Sequence, residues 1–179
     1  MDRLHVALPH SAPRQQLLQD VNLTPIEDLP AALDGWASAA EQLEAARPRI
    51  EAARARMKTC GVLPDGLEAR DVTADVLRDT EPRQGNRGTA AGEGSGVTCR
   101  LNFATDVFGT CKQRPGLARR DLALALVDAR QDPLACSVPY GQDGGIIRTV
   151  AQGHVTAVIL PGHDTATMTV LTVAYAGTA

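Results

Sequence analysis

Aromatic side chains are scarce in this chain: two Phe, two Tyr and one Trp make up 3% of its 179 residues. A core without large rings must be packed from small and branched aliphatics, so Ala, Val and Leu carry that role. Long apolar runs are missing as well. No stretch approaches the ~20 apolar residues that a membrane helix needs, and Met1-Asp2-Arg3 opens no secretory hydrophobic region. The expected location is the cytoplasm, or the exterior by a route without a cleaved signal peptide, with no membrane partner. Cys60, Cys99, Cys111 and Cys136 form no C-x-x-C pair and match no common zinc spacing. Free thiols and no metal are expected, and two disulfides of open pairing are the alternative in an oxidising compartment.

An excess of positive charge is also lacking. The net charge of −3 provides no global attraction for nucleic acid. The acidic groups lie mostly early, since residues 1–90 hold 14 of the 21 acidic side chains and 11 of the 18 basic ones. Later, between Val97 and Arg120, the cations Arg100, Lys112, Arg114, Arg119 and Arg120 face Asp106 alone. That run is a candidate phosphate-attracting surface, and a solvated helix face is the plainer reading.

What is present divides the chain. The segment QGNRGTAAGEGSG, residues 84–96, has no side chain that anchors a core and reads as a glycine-rich linker. A phosphate-cradling loop is disfavoured, because strand-like VTCRLNF follows where a helix start is required. Residues 1–83 then form a helical, acidic interaction region and residues 97–179 an α+β domain. Leu4 to Leu8 suit a short strand or extended arm. From Ile26 the pattern turns helical, with Trp36, Leu43, Ile50 and Met57 recurring every seven residues and Ala39, Ala46 and Ala53 on the same face. Pro48 interrupts this stripe, which predicts a kink or a second helix start. The stripe packs on its own domain, or else engages a protein partner or a second copy. A further helix is expected over Leu67 to Asp79, with Leu67, Val72, Val76 and Leu77 inward.

The last third reads as a helix, Gly116 to Gln131, followed by three strands around Ile146–Ala151, His154–Leu160 and Thr167–Tyr175. The expected class is therefore α+β, a helical N-terminal region and then a helix packed on a short antiparallel meander. Gln152-Gly153 fits a two-residue hairpin turn, pairing Ala151 with His154 and Val150 with Val155. Alternation then places Ile146, Arg148, Val150, Val155, Ala157 and Ile159 on one face, and Ile147, Thr149, Ala151, His154, Thr156, Val158 and Leu160 on the other. The first face is the more apolar and belongs under the helix. If Leu160 pairs with Ala166, Thr172 lies opposite His154, Leu171 and Val173 join the first face, and Met168 and Val170 fall on the second. The second face is left open for chemistry or for subunit contact. Arg148 must sit near an edge or be paired, because an unpaired buried guanidinium is costly. His154 and His163 stand about 25–30 Å apart along one strand and cannot share a site.

From Asn102 to Tyr175 the order CKQRPGLARRDLALALVDARQDP, GGIIRTV, HVTAVIL, TMTVLTVAY resembles the small ribonuclease toxins of the barnase, EndoU, colicin and RelE group, including its BrnT-like members. The resemblance implies metal-independent attack of a ribose 2′-hydroxyl on the adjacent phosphate of RNA, with no cofactor. Many short members carry a His near the start of the first helix, where FATDVFGTC has none, so acid–base work falls to His154, with Thr172 as the second catalytic candidate. Lys112, Arg114, Arg119 and Arg120 become the phosphate ligands, and His163 and Arg148 are secondary candidates. The rival expectation is a non-enzymatic interaction or assembly protein that uses its helices and a sheet face for subunit contacts.

Overall fold

Helices that bury one aliphatic stripe each lie on opposite faces of a single sheet. The computed structural model describes residues 11–61, 69–80, 99–141, 145–162 and 166–177. Their elements are α1 (Ser11–Leu23), α2 (Leu29–Cys60), β1 (Ala69–Asp71), α3 (Thr73–Thr80), β2 (Arg100–Ala104), α4 (Thr105–Lys112), α5 (Gly116–Gln131), β3 (Val138–Pro139), β4 (Arg148–Gln152), β5 (Val155–Gly162) and β6 (Thr167–Tyr175). The architecture is α+β, with a six-stranded sheet in the order β1-β2-β6-β5-β4-β3. Strands β2 and β6 run parallel and the other neighbours antiparallel. The expected three-stranded meander is the β4-β5-β6 part of this larger sheet. The arm at Leu4 to Leu8, the segment 84–96, Leu67 and His163 lie outside the described residues.

Helix α5 covers one face. Its buried Ala118, Leu122, Ala125, Leu126 and Ala129 recur at helical spacing and pack with Val150, Val155, Ala157 and Ile159, the strand residues expected beneath it. Helix α2 covers the other face. Trp36, Leu43 and Ile50 are 2%, 3% and 0% exposed and share a core with Ile147, Val158, Leu160 and Leu171. Expectation and structure part here, because the face assigned to open chemistry is filled by the chain's own N-terminal helix. The helical region and the sheet thus share buried contacts, and the seven-residue stripe is spent within one chain.

Helix α2 continues through Pro48 as one helix, so of the two expectations at that residue a second helix start is not what forms. Pro48 and Glu44 are both exposed, so water can satisfy the Glu44 carbonyl that loses its amide partner. Residues Leu67 to Asp79 do not form one helix. Ala69–Asp71 pairs with β2, and α3 begins only at Thr73, with Val72 and Val76 buried and Leu77 exposed. The Asp71 carboxylate accepts the Thr73 N–H at 2.9 Å, which stops the strand and starts the helix. That bond also holds the Asp71 carboxyl below its usual range.

The β4–β5 hairpin forms one residue later than expected: Gln152 pairs with Val155, Ala151 with Thr156 and Val150 with Ala157. The central turn residues are Gly153 and His154. Gly153 has φ 54° and takes the first central position, where positive φ is needed, whereas the expected turn would have forced Gln152 into it. Moving the turn by one residue on each strand keeps Val150, Val155, Ala157 and Ile159 on the α5 side and Val158 and Leu160 on the α2 side, as expected, whereas Ile146, ahead of β4, packs against the α2-side core with Ile147. The β5–β6 register differs more. Val155 pairs with Tyr175 and Val158 with Thr172, then a bulge follows, after which Ile159 pairs with Val170. The extra residue, Leu171, joins the α2-side core, while Met168 and Val170 join the α5-side core, the reverse of expectation. Val173 lies on the α5 side as expected.

Candidate functional site

The Gly153-His154 turn carries the imidazole to the end of the sheet, beside α1. His154 stays half exposed, at 47% of its side chain, with Nε2 3.0 Å from Asp20 Oδ2. Asp20 is itself held: Trp36 Nε1–H donates to Oδ2 at 2.8 Å and Gln16 Nε2–H to Oδ1 at 2.9 Å. When Nε2–H donates to this carboxylate, the tautomer is set and Nδ1 is left as the basic nitrogen. The pair opens into a cleft of about 520 Å³ whose lining includes Thr24, Asp28 and Tyr175. The His154 carbonyl accepts the Ala176 N–H at 2.8 Å, which ties the turn to the end of β6.

Asp20 was not legible as a site residue, because α1 and the hairpin meet only in the tertiary structure. Thr172, by contrast, is not beside His154. It lies across from Val158, three residues from Tyr175, or roughly 10 Å along the strand. It lines a separate groove with Arg49, Asp106 and Arg114. There Arg49 pairs with Asp106 and donates to the Leu171 carbonyl at 3.0 Å, and Arg114 donates to Gln42 Oε1 at 2.5 Å. These cations brace α2 against the sheet.

The four expected phosphate ligands do not gather at His154. Lys112 and Arg119 line another cleft, and Arg120 is exposed. Arg114 alone stands against a residue of the His154 cleft, 5.8 Å from the Tyr175 ring centroid. Arg148 is buried and paired, as its placement on an apolar face required. Its Nε donates to Ser137 Oγ at 2.6 Å, and its Nη2 donates to the carbonyls of Ser137 at 2.5 Å and Leu134 at 3.0 Å. It clamps the loop before β3.

All four cysteines are free thiols. Burial pushes the Cys111 thiol up to about 12, which makes it a poor nucleophile at neutral pH. Among the described residues, no group of three His, Cys, Asp or Glu side chains is placed to hold a metal ion, and no helix is long and apolar enough to cross a membrane. No protein-family model, curated protein or solved structure matches the chain.

Proposed function

We propose that the cleft at His154 is an acid–base site that cleaves RNA without a metal. The observation carrying this reading is the oriented pair, a half-exposed imidazole whose Nε2 rests on a carboxylate that two other donors hold in place. Such an arrangement fixes the ring's orientation and leaves the free nitrogen to accept a proton. In the reaction, Nδ1 takes the proton of the 2′-hydroxyl, O2′ attacks phosphorus, and the bond to the 5′-oxygen breaks. That oxygen leaves with a proton, for which the Tyr175 hydroxyl is the donor at hand in the same cleft. Arg114, beyond the Tyr175 ring, is the cation best placed for developing phosphorane charge.

The full chain is the proper material for the test, because removing α2 would uncover Val158, Leu160 and Leu171. Incubation with RNA is expected to yield 2′,3′-cyclic phosphate ends. His154→Ala should abolish cleavage, and Asp20→Asn should slow it by about a hundredfold. Intact RNA after incubation with the wild-type chain ends this reading.

A second reading rests on a different observation. Leu18, Leu23 and Ile26 are 61%, 73% and 86% exposed around the end of α1, an apolar surface of the kind that protein partners cover. In a non-enzymatic interaction protein, the His154–Asp20–Trp36 chain would serve only to latch α1 and α2 onto the hairpin.

A further inference from the structure

Three helices contribute cations to one cleft on the face that α5 covers. Arg78 of α3, Lys112 of α4 and Arg119 of α5 line a space of about 190 Å³, with Phe103 and Phe108 in its wall. That volume is far above the ~10–15 Å³ that admits one water. The carboxylate in the lining, Asp75, is engaged by Arg78 at 3.3 Å. Phe108 gathers further charge, with the Lys112 ammonium 4.4 Å and the Arg70 guanidinium 4.8 Å from its ring centroid. Cations gathered around one aromatic ring make the local potential positive, which favours an anion nearby. An independent sign comes from Arg119, whose Nε is buried with no hydrogen-bond partner. A buried charged donor without an acceptor is unfavourable, and native structures rarely leave one so.

We propose that this cleft is a binding site for the phosphate group of a small ligand, seated between Arg119 and Lys112 with Arg78 at the rim. A phosphate oxygen supplies the acceptor that Arg119 Nε lacks, and its charge offsets the local excess of cations in an otherwise acidic chain. The site is independent of the His154 cleft. Its walls include Phe103 and Leu122 of the α5-side core, whereas the His154 cleft is bounded by Trp36 and Ala176 of the α2-side core.

Calorimetric titration of inorganic phosphate into the full chain at low ionic strength tests the proposal. Saturable binding is expected, weakened about tenfold or more by Arg119→Ala and by Lys112→Ala, because each removes a charge-assisted contact. Lys112 is exposed, so its variant guards against misfolding of the Arg119 variant, and phosphate should raise the unfolding midpoint of wild type more than that of either. Arg120→Ala, on the same helix outside the cleft, and His154→Ala should leave phosphate binding unchanged. A nucleoside monophosphate binding more tightly than inorganic phosphate identifies a nucleotide ligand, and equal affinity identifies the free anion; both support the site. No binding to wild type, equal loss in Arg120→Ala, or binding of an RNA oligonucleotide without either small phosphate overturns it.

Discussion

Thr149 and Arg148 are neighbours on β4 with opposite polar fates. Arg148 finds three acceptors inside the protein, while Thr149 Oγ1 is buried beneath α2 with no partner. A buried hydroxyl without a hydrogen bond costs about 1–3 kcal/mol. Thr149→Val keeps the branched shape and removes that atom, so it is expected to stabilise the protein by about 1 kcal/mol in urea unfolding with an unchanged m-value. A destabilised variant would show that the hydroxyl is satisfied after all. Arg148's need for either an edge or partners was readable from sequence, because an unpaired guanidinium buried on an apolar face is costly. The identity of those partners was not, since Leu134 and Ser137 reach it only through a loop whose path no periodicity encodes.

At the scale of elements, Gly35 is a position of α2 where a side chain does not fit. A Cβ there would meet the Ala176 carbonyl oxygen at 2.0 Å, so the helix lies directly on the end of β6 only because this position has no side chain. Gly35→Ala would ordinarily favour a helix. Here it is expected to destabilise by about 1–3 kcal/mol through overpacking, and a thermal melt of the variant decides between the two signs. Helical periodicity alone would have chosen wrongly, because it sees the helix and not the strand end it touches. The spacing of Trp36, Leu43 and Ile50 did correctly mark one buried face, and the boundaries of α5 were readable from its aliphatic repeat and the proline that follows. Strands β1 and β3 were not readable. At three and two residues they are too short for alternation to register, and they owe their extended form to neighbours distant in sequence.

The whole molecule is organised by α2 closing the second face of the sheet. Ile50 is fully buried in that contact, and its truncation to Ala should remove about 2–5 kcal/mol of stability. Trp36, the chain's single tryptophan, sits in the same layer and reports on it without added labels. If α2 and the sheet unfold together, Trp36 fluorescence and far-UV circular dichroism of Ile50→Ala will lose their signals in one coincident transition. An early fluorescence transition would show that α2 detaches first and that the sheet is stable without it. The same arrangement explains why the sequence pointed to an open sheet face. Thr149, Thr156 and Thr172 made that face look half polar, yet β-branched threonines pack well in a buried strand once a helix supplies the opposite wall.

Local periodicity by itself determined the α+β class, the extent of α5, the three long strands and the sorting of β4 and β5 side chains by face, because each depends on residues a few positions apart. Only the tertiary structure decided that α2 covers the sheet, that a bulge at Leu171 redirects β6, that Asp20 meets His154, and that Arg78 joins Lys112 and Arg119. Each of these contacts joins segments far apart in the chain, and no pattern within either segment specifies its partner.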